Sequence, residues 1–124
     1  MKVIYKSENL KSLCNDSKKA AKFFGGDKAM ATSLLARVNV LLAAITISDV
    51  IALPQMHFHK LMDFGKNRDY EGYFAIDVKS RKDAWRIIIE LLDENEEPFV
   101  PCNIDEIANV VRVVRIKEVS KHYE

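Results

Sequence analysis

The chain has 124 residues, 48% hydrophobic and 30% charged, with a formal net charge of +1. That length fits a single domain over residues 1–124 with one modest core. No apolar run is long enough to span a bilayer, and a charge so close to balance gives no bulk attraction for nucleic acid, so any cationic surface has to come from local arrangement. The opening MKVIYKSENL has no apolar signal-peptide region, and Cys14 and Cys102 lie far apart and outside any CxxC spacing, so a reduced, cytoplasmic setting is expected.

Taken in chain order, Lys2 to Tyr5 alternates around β-branched residues and predicts a first strand. Leu10, Leu13, Cys14, Ser17, Ala20, Ala21 and Phe24 follow helical spacing and predict one amphipathic helix, which Gly25-Gly26 ends. Asp27 is placed to cap a second helix with Met30, Leu34, Leu35, Val38, Leu41, Leu42 and Ile45 as its apolar stripe. The two make an antiparallel helical hairpin. Ser48 is a candidate cap for a further helical turn, closed by Pro54. The period then changes. Phe58 to Met62 predicts a short strand. Gly72 to Val78 predicts another, with Phe74, Ile76 and Val78 on one face. Trp85 to Leu92 is nearly continuously apolar, the mark of a central strand covered on both sides. An acidic, proline-bearing excursion over 93–103 leads to a helical turn at Ile104 to Ala108 and a long last strand, Val110 to Val119. Its apolar residues fall on both faces, which calls for a bulge or an interior position.

The expected fold class is therefore α+β: an N-terminal strand and an antiparallel helical hairpin packed on a curved antiparallel sheet of four to five strands. Asp93, Glu94, Glu96 and Glu97 gather negative charge in one loop, and Lys79, Arg81, Lys82 and Arg86 cluster within eight residues, opposed only by Asp83. A cationic face with the acids elsewhere is one reading of this, and a mixed solvated surface is the other.

The order of these features resembles the RelE/ParE toxin superfamily, closest to its HigB-like killer branch. The residues that carry the likeness are His59-Lys60-Leu61, the Gly72-Tyr73-Phe74 strand, the Trp85-Arg86-Ile87 strand and the terminal Glu118-Val119 running into His122-Tyr123. The resemblance covers nearly the whole chain. It implies a RelE-like fold and the toxin of a type II toxin-antitoxin system: a ribosome-dependent mRNA endonuclease, or mRNA interferase, needing no metal or other cofactor. Its implied partners are the ribosome with its mRNA and a HigA-like helix-turn-helix antitoxin, with no membrane. The killer branch ends in an acid, then Tyr, then His, whereas Lys121, His122 and Tyr123 stand here. A His-Tyr ending is similar to that of YoeB-like toxins, and which residue serves as acid and which as base is left open.

Metal-free RNA cleavage needs a base for the 2′-OH, cations for the phosphorane and an acid for the departing 5′-oxygen. Arg86, alone among apolar residues, suits the phosphorane through its planar fork, provided that Trp85, Ile87 and Ile89 pack on the helices and turn it to the other face. An arginine snorkelling to a sheet surface is the plainer alternative. His122 and His59 are the candidate proton-transfer groups and Tyr123 the candidate base-stacking one, against a frayed tail and a half-buried structural histidine. Lys60, Arg68, Lys79, Arg81, Lys82 and Lys121 are candidate RNA contacts, or simply surface charge. His57-Phe58-His59 invites a zinc reading but lacks further ligands at a recognisable spacing. Cys14 is expected in the core. Two other functions share the same outline: a ParE-like DNA gyrase poison, and a catalytically inactive domain that only binds an antitoxin.

Overall fold

The computed structural model describes residues 1–61 and 72–121. Strand β1 (Lys2–Tyr5) leads into helices α1 (Glu8–Asn15), α2 (Ser17–Phe23), α3 (Lys28–Ala43) and α4 (Ile47–Ile51), then a 3-10 turn at Pro54–Met56. Strands β2 (His59–Lys60), β3 (Tyr73–Asp77) and β4 (Trp85–Leu92), a single turn α5 (Ile104–Ile107) and β5 (Val113–Lys121) follow.

The first three helices start where the sequence supplies an oxygen for their unpaired amides. Ser7 accepts from the Leu10 amide, and Asp27 accepts from the Met30 amide. The expected first helix is in fact two. Asp16 takes the amides of Lys18 and Lys19 and stands in extended backbone, so it ends α1 and caps α2 at once. The apolar ladder continues across the break, leaving Cys14 and Ala20 both buried. Gly25 and Gly26, at φ +69 and +94, make the reversal into α3. The short helix α4 is capped by Thr46, not Ser48, and the Asp49 carboxylate turns back onto the amides of Ile45 and Thr46.

The five strands form one open sheet in the order β1-β5-β4-β3-β2. It is mixed rather than purely antiparallel as expected, because β1 lies parallel to β5. The chain returns to β1 only after crossing the whole sheet, so the last strand fills the gap between the first strand and β4. Helices cover one face: Leu34, Val38 and Leu41 of α3 pack with Phe74 and Ile76 of β3, Ile87, Ile89 and Leu91 of β4, and Val114 and Ile116 of β5. On the other face Leu61, Ala75 and Ile88 form a smaller buried group beside Tyr73. The apolar strand β4 is thus covered on both sides, which is why its sequence does not alternate.

The expected irregularity in β5 is present. The ladder shifts between Ile88, opposite Glu118, and Ile89, opposite Ile116, so Lys117 is an extra residue. Without that bulge the strict two-residue period would put Val119 on the face away from the helices. With it, Ile116 and Val119 both reach the helical core.

Candidate functional site

The candidate site lies on the face away from the helices, at the end of the sheet nearest the β3–β4 turn. Asp77 of β3 stands directly opposite Arg86 of β4, and Arg86 directly opposite Ser120 of β5. Trp85, Ile87 and Ile89 join the helical core, so Arg86 turns the other way as the alternation requires. Its guanidinium does not project as an open fork, however. The residue is only 4% exposed. Nε lies 3.2 Å from Asp77 Oδ1, and Nη1 donates to the carbonyls of Asp83 and Trp85 at 2.8 Å each. Longer bonds reach the carbonyls of Ser80 and Arg81 at 3.4 Å. Arg86 plugs the β3–β4 turn from within, and a phosphate would have to displace these partners to use it.

Asp77, 1% exposed, serves a second group on the same oxygen. His57 Nδ1 lies 3.0 Å from Oδ1. His57 closes the 3-10 turn with left-handed backbone, φ 46 and ψ 50, and its amide donates to the Pro54 carbonyl. The His59 ring stacks on that of His57 at 4.4 Å between centroids, and His59 Nδ1 is 2.7 Å from the His57 carbonyl oxygen. Two imidazoles, a buried carboxylate and a buried guanidinium therefore form one connected cluster. Arg37 of α3 braces it from the helical side, donating to the carbonyls of Val78 and Lys79 and reaching the Met56 sulfur.

The other candidates divide by place. Lys79, Arg81 and Lys82 are exposed on the turn that Arg86 fills. Lys60 pairs with Phe74 and Lys121 with Trp85, both of which pack with the helical core. These two lysines therefore lie on the helical face, away from Arg86, Lys60 on the edge strand β2 and Lys121 at the end of β5. Lys121 lies 5.3 Å from the Trp85 ring centroid, a cation–π contact that occupies it. Arg68, His122 and Tyr123 lie outside the described residues. The polar face is of mixed charge rather than cationic. Arg115 pairs with Glu90 at 2.7 Å, and Lys117 sits over the Tyr73 ring. Among the described residues, no group of three or more His, Cys, Asp and Glu side chains is placed to hold a metal ion.

Sequence reasoning missed Asp77 and Arg37 and weighed His57 only as a zinc ligand. Asp77 was within reach: a lone acid in GYFAIDV and a lone base in WRIII, joined by a short turn, are the two charges most in need of each other. Arg37 gave no such signal, being one more polar residue on a long helix.

No model of a known protein family and no curated protein matches the chain.

Proposed function

We propose that this protein is a toxin of the type II toxin-antitoxin class that cuts translated mRNA by metal-independent attack of a 2′-OH, working in the cytoplasm under the control of a helix-turn-helix antitoxin. One observation supports the reading beyond the sequence resemblance. The stacked imidazoles of His57 and His59, the Asp77–Arg86 pair and Ser120 share one end of one sheet face, beside the cations Lys79, Arg81 and Lys82. Proton-transfer groups beside phosphate-binding cations are what phosphodiester transfer requires. From Ser120 the sequence runs on through Lys121 to His122 and Tyr123.

The occupied guanidinium of Arg86 favours a second reading, in which the same domain binds a gyrase or an antitoxin and cuts nothing. Purified protein added to a cell-free translation reaction separates the two. The nuclease reading expects the message to be cut while it is translated and to survive when ribosomes are left out. A message that stays intact under translation, or naked RNA cut equally well, would contradict it.

A further inference from the structure

We infer that His57 is the catalytic base of this site and that Asp77 is its positioning residue, an assignment that rests on the nuclease reading above. Three features of the geometry point to it. The first is the hydrogen bond. Buried Asp77 has no proton to give as a carboxylate, so the 3.0 Å contact is a donation from His57 Nδ1–H. That fixes the neutral ring as the tautomer whose lone pair is on Nε2. The second is the anchoring of the carboxylate. Asp77 Oδ1 is itself held by Arg86 Nε at 3.2 Å, and Arg86 is locked by the carbonyls of the β3–β4 turn. A base, an orienting acid and a group that fixes the acid stand in series, the arrangement by which a histidine is held ready for proton transfer.

The third feature is the backbone. His57 is one of two non-glycine residues with positive φ among the described residues. A left-handed histidine costs on the order of 1 kcal/mol or more against glycine at the same place. His57 holds this conformation where glycine or asparagine would close the 3-10 turn more cheaply, and its imidazole bonds the buried Asp77. That side chain is 25% exposed, whereas Asp77 behind it is 2% exposed. The ring is thus placed between the buried carboxylate and solvent. The ionisable groups facing it are Asp77 from β3 and His59 from β2, with Arg86 of β4 behind Asp77 and Arg37 of α3 at the neighbouring Met56.

The step balances without a further reactant. His57 Nε2 takes the proton of a ribose 2′-OH as its oxygen bonds to the adjacent phosphorus. The phosphorus–O5′ bond breaks, leaving a 2′,3′-cyclic phosphate. The 5′-oxygen departs with a proton from a second acid, for which His59, stacked on His57, is the candidate.

The test is the rate of message cleavage on translating ribosomes as a function of pH, for wild type, His57→Asn and Asp77→Asn. Asparagine tolerates left-handed backbone, so His57→Asn should fold, as circular dichroism would verify. It should lose about 10²–10⁴-fold in rate together with the ascending limb of the pH profile. In Asp77→Asn the new amide can donate to Nδ1 and favour the opposite tautomer, so a loss of similar size is expected even where the protein is still folded. A folded His57→Asn that cuts at the wild-type rate with the wild-type pH profile overturns this assignment and leaves the nuclease reading standing. A wild-type protein that cuts nothing overturns both.

Discussion

Arg86 and Asp77 show how differently a charge reads in sequence and in space. An arginine in an apolar strand signals either a functional cation or a structural one, and the deciding fact is what it faces. Here it faces a buried aspartate, three carbonyl oxygens of the β3–β4 turn and the carbonyl of Trp85. Removing one partner of a buried ion pair leaves the other charged and desolvated, at a cost of roughly 3–5 kcal/mol. Arg86→Ala is therefore expected to lose about that much stability in urea unfolding. The double variant Asp77→Asn/Arg86→Met should lose clearly less than the sum of its single changes. Additive losses would mean that the pair is not coupled. The face of Arg86 was legible from Trp85, Ile87 and Ile89, because the two-residue period leaves no choice. Its partner was not, because register across the β3–β4 turn decides which residue stands opposite, and turn geometry there depends on Ser80 and Asp83 bonding to local amides.

At the scale of elements, the strands were read more accurately than the helices. β1 and β4 follow from β-branched runs between breaks, and the bulge in β5 follows from apolar residues that no single face could hold. The division of the first helix was missed because the apolar ladder runs through it without a phase change. Only the local bonding of Asp16 ends one helix and begins the next. The parallel placing of β1 beside β5 is a long-range pairing that neither segment signals. Cys14 gives a direct probe of the helical layer. It is 1% exposed, and burial pushes its thiol up to about 12, while Cys102 is partly exposed and raised by burial against the opposing charge of Lys60. Alkylation at mildly alkaline pH should modify Cys102 first and reach Cys14 only as the protein opens. Equal rates in the folded protein would refute the packing of α1. Because the folded thiol is the harder one to ionise, the stability it contributes is fully present below the ordinary thiol range. It is lost as pH rises toward about 12.

For the whole molecule, β4 sets the electrostatic layout. Its start adjoins the turn with Lys79, Arg81 and Lys82, and its end adjoins the loop with Asp93, Glu94, Glu96 and Glu97. Eight residues of extended chain hold the two apart by roughly 25 Å. The end of β4 beside the exposed Lys79, Arg81 and Lys82 is also the end that bears His57, while at the other end Lys2 pairs with Glu96 of the acidic loop. None of the helices among the described residues is long and apolar enough to cross a membrane. The mRNA-cutting reading requires a polyanion to meet the end beside Lys79, Arg81 and Lys82 with its 2′-OH beside an imidazole. The most direct measurement is the chemistry of the new RNA ends after cell-free translation with the wild-type protein. The account predicts fragments ending in 2′,3′-cyclic phosphate and beginning with 5′-OH. Fragments with 5′-phosphate and 3′-OH ends, or a message left whole, would contradict it.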